Sequence, residues 1–226
     1  MIFGTSYIDS QERKWLAEQW LRVMRLVNPG IPIGIVDTPG PVEWQPMGKD
    51  DSLYDWHFTY PDNIGHLTKT GRDGWGRAFS CGIDQAIDQG YDYAVHIECD
   101  LLFAKPVMPI IKRMLLNNIK AVSTAAMPHR MIETGLLFLD LEYAHESRLV
   151  ERYDWQTSSL IELPERRMEK LLGDDLYLMP WWGFRDDDKV LQPATMTSHF
   201  PAGMDWLTHA SVPCYKRFMD INGMLG

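Results

Sequence analysis

Apolar residues recur along this chain with two different periods, and the alternation between them predicts the fold. Residues 2–8 read as a first strand. Asp9 and Glu12, three apart, then cap a helix on which Leu16, Trp20, Val23 and Val27 recur at helical spacing. Asn28-Pro29-Gly30 ends it, and residues 31–36 form a second strand that stops at Asp37. Over 38–75 no period holds and Gly, Pro, Asp and aromatic residues dominate, as in a functional loop or a run of short elements. Residues 76–89 are helical again, with Phe79, Ile83, Ala86 and Ile87 on one face, followed by a strand at 91–97. A helix at 107–118, strands at 120–125 and 135–141, and helices at 142–153 and 164–172 complete the regular pattern; Pro164 favours a helical first turn. From Trp181 onward the chain is aromatic and Pro-rich, and no element is assigned.

Strand–helix alternation followed by a mixed region predicts a three-layer α/β/α sandwich, Rossmann-related, with a mainly parallel central sheet. Ligands bind such sheets beyond the carboxyl ends of the strands. That rule puts Thr5, Ser6 and Tyr7, Asp37, and the pair Glu98 and Asp100 on one rim. The pair interrupts the apolar run YAVHIECDLLF. If the strand continues, Glu98 and Asp100 share a face and Cys99 points into packing. Two carboxylates so close repel, and one is pushed toward its protonated form unless a cation intervenes. Hard oxygen ligands suit Mg²⁺ or Mn²⁺. Other acids read differently: Asp140 and Glu142 as a helix-capping pair, Asp186-Asp187-Asp188 as a solvated turn or the lining of a cleft. His96, inside the strand, reads as a packed core residue.

Composition narrows the classes. A net charge of −9 leaves no basic stripe for phosphates, so no nucleic-acid partner is expected. Three cysteines without CxxC spacing fit reduced thiols in a cytoplasmic protein. The start, MIFGTSYIDSQERKW, has no basic region followed by an apolar core, and no apolar run reaches the length of a membrane span. Peripheral association with a membrane stays open. The length suits one domain over 1–226.

Four segments together resemble the nucleotide-sugar-dependent glycosyltransferases of the GT-A fold: IFGTSYI, IPIGIVD, GRAFSCGIDQAIDQGYDYAVHIECDLLF and ETGLLFLDLEY. The resemblance covers 1–145 well and the remainder loosely, with Glu98 standing where the family's Asp-x-Asp motif has its first acid. It implies a nucleotide-sugar half over 1–105 and an acceptor half over 106–226. It implies that Thr5, Ser6, Tyr7 and Asp37 hold the nucleoside of a UDP- or GDP-sugar donor. Arg72 and Arg77 approach its diphosphate or sugar, and Glu98 and Asp100 bind the cation. His199, in ATMTSHFPAG, corresponds to a third metal ligand near the C-terminus. Glu162 and Glu165 stand where an inverting enzyme places its general base, with Glu133 as a second candidate or a holder of donor-sugar hydroxyls, for transfer to a glycan or other hydroxyl acceptor; a retaining enzyme would need no such base, and the sequence leaves the stereochemistry open. Trp181, Trp182 and Trp206 offer either an acceptor platform or core packing. Two alternatives stay open: a non-catalytic carbohydrate-binding protein, and a sugar nucleotidyltransferase. The second would need a Gly-rich basic loop after the first strand, whereas SYIDSQERKW has no glycine.

Overall fold

A computed structural model describes residues 1–45, 53–63, 72–126, 131–158, 162–186 and 203–225, without the side chains of residues 72, 73, 126 and 158. Four parallel strands form its nucleus: β1 (Ile2–Tyr7), β2 (Ile33–Thr38), β3 (Trp56–Thr59) and β4 (Tyr93–Ile97), in the order β3-β2-β1-β4. The small sheet to which β5 (Leu101–Phe103) belongs is described below. Beyond β4, β8 (Leu136–Asp140) runs antiparallel and β6 (Ala121–Ala126) antiparallel to β8 in turn. The outer end is formed by β7 (Met131–Ile132), antiparallel to β6, and β9 (Leu176–Met179), parallel to it. The eight-stranded sheet is thus mainly parallel.

Alternate residues of each inner strand feed two cores, which is why these strands read as continuous apolar runs. Ile2, Val95, Ile97, Leu136 and Phe138 face one side, against Leu16, Trp20 and Met24 of α1 (Gln11–Val27) and Ile110 and Met114 of α3 (Val107–Asn117). Phe3, Ala94, Leu137 and Leu139 face the other, against Phe79 and Ile83 of α2 (Arg72–Asp88) and the helices α4 (Leu141–Glu146) and α5 (Leu149–Tyr153). After the short α6 (Trp155–Ser158), α7 (Pro164–Leu172) adds Met168 and Leu172 to that second core. The last helix, α8 (Val212–Ile221), returns Tyr215 and Phe218 to the first. The three-layer sandwich follows from the strand alternation alone.

The differences from the sequence reading have local causes. Ser10, not Asp9, caps α1 by accepting from the Arg13 amide, and Asp9 pairs with the Arg13 guanidinium instead. β2 starts at Ile33 because Pro32 has no N–H to give the ladder. The irregular stretch contains β3, and α2 begins at Arg72 rather than Gly76. The single helix expected over 142–153 is two, parted where Arg148 takes φ 53°. Asp140 caps α4 as expected, accepting from the Tyr143 amide at 3.1 Å. The tail forms β10 (Gly183–Arg185) and β11 (Trp206–Thr208), which join β5 in a second, three-stranded sheet. Asp186, placed by the sequence on a solvated turn, is 2 % exposed. Among the described residues no helix is long and apolar enough to cross a membrane.

Candidate active site

A cavity of about 660 Å³ opens beyond the carboxyl ends of the parallel strands. Thr5, Ser6, Tyr7, Thr38 and Asn63 line it from the ends of β1–β3, and Trp75 from α2. Arg13 enters from α1, Glu98 and Asp100 from the β4–β5 connection, Glu165 from α7, Arg185 from β10 and His209 from just after β11.

The strand does not continue through the acid pair. Glu98 still donates its amide to Gly135 O at 2.9 Å, toward β8, whereas Cys99 donates to Thr5 O at 3.1 Å, toward β1. Leu101 then closes a turn onto Glu98 O. Both carboxylates nonetheless face the cavity, and Cys99 packs inward. Gly4 makes room there, since a Cβ on it would lie 2.7 Å from the Cys99 sulfur. The turn is pinned from the C-terminal half: Thr208 Oγ1 and Tyr215 Oη both donate to the Asp100 carbonyl, at 3.1 and 2.6 Å.

Glu98, Asp100 and His209 each offer a ligand atom within 4.8 Å of one another. His209 Nε2 lies 3.7 Å from Asp100 Oδ2, with Arg13 Nη1 3.9 Å from the same oxygen. Burial, then the Asp100 and Glu133 carboxylates, push Glu98 well above the usual carboxylate range. Two carboxylates and an imidazole, with more negative charge than the local cations offset, are a donor set that fits Mn²⁺ or Mg²⁺. His209 takes φ 57°, in the left-handed region, a conformation that collects at functional sites. The sequence reading missed it; the available signal was a histidine two residues after the short apolar pair Trp206-Leu207. His199, chosen in its place, lies outside the described residues.

His96 is fully buried, as the sequence implied, but it also orders the cavity floor. Burial pulls its pKa down to about 4, so the ring is neutral. Thr134 O, 2.9 Å from Nδ1, can only accept, so Nδ1 carries the proton. Nε2 therefore accepts the Thr5 hydroxyl proton across 3.0 Å. The Thr5 oxygen is left presenting lone pairs to whatever occupies the cavity.

A second charged group stands nearby. Glu133 is 0 % exposed, and its Oε1 accepts from the Gly135 amide at 2.9 Å. Arg185 Nη1 donates to both Glu133 oxygens, at 3.3 and 3.4 Å, and to Glu165 Oε1 at 3.3 Å. Gly135 lets Glu98 and Glu133 approach: a Cβ there would lie 2.8 Å from Glu98 Oε2 and 3.0 Å from Glu133 Oε1. Glu165 lines the cavity, whereas Glu133 is sealed beneath the guanidinium. Nothing in the sequence around Arg185 singled it out.

Among the described side chains, the other expected residues do not line the cavity. Glu162 pairs with Lys170 and does not reach the cavity wall. Arg77 binds Asp62 rather than pointing at the acid turn. The Arg72 backbone opens α2, and its side chain is not among those described. Trp181 and Trp206 are core residues, and Trp182 is 42 % exposed away from the cavity lining. Asp37 is buried and accepts from Ser6 Oγ at 2.5 Å.

Burial raises Asp37 from 3.8 to about 6, against the Ser6 hydrogen bond, which lowers it. A raised folded pKa favours the protonated form, so the stability it confers is present below about pH 4 and lost as pH rises through about 6. The shift corresponds to about 3 kcal/mol. Asp37→Asn, which can still accept from Ser6, is expected to be more stable than the parent above about pH 6 by 1 to 3 kcal/mol, roughly. Urea unfolding should show that gap closing as pH falls toward about 4.

The strand order, the acid turn after the fourth strand and the mainly parallel sheet define the GT-A type of fold, on which nucleotide-sugar glycosyltransferases are built. No protein-family model matches the sequence, and no curated protein matches it. Among solved structures, the galactosyltransferase LgtC in complex with donor and acceptor sugar analogues superposes with a TM-score of 0.58 at 12% identity, covering 98% of this chain and 95% of that one. The bifunctional glycosyltransferase WbbM gives 0.58 at 11% identity over 98% of this chain; this chain spans 49% of WbbM. A glycosyltransferase involved in glycosylation of the major capsid of PBCV-1 gives 0.52 at 10% identity, covering 98% of each chain. At these identities the likeness is one of fold.

Proposed function

We propose that the chain is a glycosyltransferase that moves a sugar from a nucleoside-diphosphate sugar to a carbohydrate or other hydroxyl acceptor, with inversion at the anomeric carbon. A UDP- or GDP-sugar is the donor, and Glu98, Asp100 and His209 hold the Mn²⁺ or Mg²⁺ ion. The observation that carries this reading is the cavity itself. It brings hydroxyl-bearing strand ends, a three-residue cation set and a separate carboxylate, Glu165, to the carboxyl edge of one sheet.

When bound, the ion screens the charge that gathers on a departing diphosphate. The remaining steps belong to side chains. Thr5, held by His96, presents an oxygen acceptor of fixed direction to the donor. Arg13, exposed beside Asp100, supplies positive charge at the edge of the acid turn. Glu165 takes the proton of the acceptor hydroxyl as its oxygen bonds to the anomeric carbon and the bond to the diphosphate oxygen breaks. Glu133, sealed from the cavity, holds Arg185, and Arg185 in turn holds one oxygen of Glu165. That leaves the second Glu165 oxygen for the acceptor.

A thermal-shift screen of UDP, GDP, CMP and their sugars, with and without Mn²⁺, tests the reading. One donor class is expected to raise Tm only when the metal is present, by an amount set by its concentration relative to Kd. If none does, while nucleoside triphosphate plus sugar phosphate yields a sugar nucleotide, the chain is a nucleotidyltransferase instead.

A further inference from the structure

Arg77, expected near the diphosphate or sugar of the donor, is tied in the structure to residues that follow β3. Its Nη1 donates to Asp62 Oδ1 at 2.9 Å and its Nη2 to the Asp62 carbonyl at 2.6 Å. The guanidinium lies 3.8 Å from the centre of the Tyr60 ring, and the Tyr60 hydroxyl donates back to the Arg77 carbonyl at 3.3 Å. Two hydrogen bonds to one residue, a cation–π contact and a return bond fix residues 60–62 to α2. Arg77 is buried, whereas the Asp62 side chain that it holds lies at the surface.

That fastening has a direction. Tyr60 donates its amide to Asp37 O at 3.0 Å and Thr59 stands in register with Asp37, so the segment leaves the sheet directly beside the end of β2. The next residue after Asp62 is Asn63, which lines the cavity together with Thr38. With the strand order β3-β2-β1-β4, three strand spacings of about 4.8 Å separate the ends of β3 and β4, about 14 Å in all. The acid turn lies at the β4 end and the same cavity continues to Thr38 and Asn63, so a donor whose diphosphate sits at the turn has room for its nucleoside toward β2 and β3. A carboxamide offers one donor and one acceptor side by side, which matches the paired donor and acceptor on the edge of a nucleobase.

We propose that Arg77 is a positioning residue whose clamp on residues 60–62 presents the Asn63 carboxamide to the nucleobase of the donor, and that Asn63 sets which base is accepted. The proposal rests on the nucleotide-sugar reading above. Isothermal titration of the full chain with the diphosphates of uridine, guanosine, cytidine and adenosine, in Mn²⁺, tests both. The parent should prefer one base. Asn63→Ala, a change on the cavity wall, should weaken that preferred diphosphate about tenfold and flatten the preference, with Mn²⁺ affinity unchanged. Arg77→Met should do the same, and the double variant should lose no more than either single one, because both act through one contact. An Asn63→Ala variant that keeps the parent's preference overturns the proposal. So does a double variant whose losses multiply. A parent that binds none of the four overturns the nucleotide-sugar reading itself, and this inference with it.

Discussion

Asp100→Ala is expected to abolish cation-dependent donor binding and to lower sugar transfer about 1,000-fold or more, the equivalent of about 4 kcal/mol of barrier. The carboxylate is the common neighbour of two side chains that enter the cavity beside the acid turn: His209 lies 3.7 Å from it and Arg13 3.9 Å. Removing it leaves Glu98 and His209 as an incomplete cation set, so Mn²⁺ affinity should fall about 100-fold or more. The fold has little to lose. What pins the turn is the Asp100 carbonyl, bonded by Thr208 and Tyr215, and the carbonyl survives the substitution. One of the charges that pushes Glu98 toward its protonated form is removed at the same time. Tm is therefore expected to stay within about 2 °C of the parent or to rise. Titration with Mn²⁺, donor turnover and a melting curve on the same preparation separate the effects. Parent-like Mn²⁺ binding in the variant, or full turnover of the parent in excess EDTA, would remove the cation from the mechanism. His209→Ala is the companion measurement, since it asks whether the ligand found only in three dimensions carries comparable weight.

That histidine marks where the sequence stopped being readable. β1, β2, β4 and β8 were legible because each is buried on both faces and spells an apolar run, and Pro164 located the start of α7. The acid turn was legible because charge interrupts such a run. β3 was not: it is an edge strand with a half-exposed pattern, WHFT, embedded among turn residues. β10 and β11 have three residues each, too few for any period to register, yet they deliver Arg185 and His209 to the cavity. Short strands of a second sheet are specified by partners distant in sequence, here β5, and a window along the chain does not see those partners. The same limit applies to Arg77 and Asp37, whose local partners, Asp62 and Ser6, were visible only once the chain was folded.

Glu165→Gln carries the second large effect, and it discriminates chemistry from binding. Glutamine keeps the shape of the side chain and an oxygen that can accept from Arg185, so α7 and the Arg185 bridge should persist. It lacks the basicity to take a proton. If Glu165 is the base of an inverting displacement, turnover should fall about 100- to 10,000-fold while donor affinity in Mn²⁺ stays within about twofold. The matched control is Glu162→Gln. Glu162 sits three positions away but pairs with Lys170 and does not line the cavity, so its loss should leave turnover within about twofold of the parent. The configuration of the product, read by NMR from the anomeric proton, completes the test, because a base on the acceptor side of the sugar requires inversion. A Glu165→Gln variant that retains turnover, or a product with retained configuration, would take Glu165 out of the proton transfer. Its carboxylate would then be left with the task that Arg185 already gives it, closing the cavity wall over the buried Glu133 side chain.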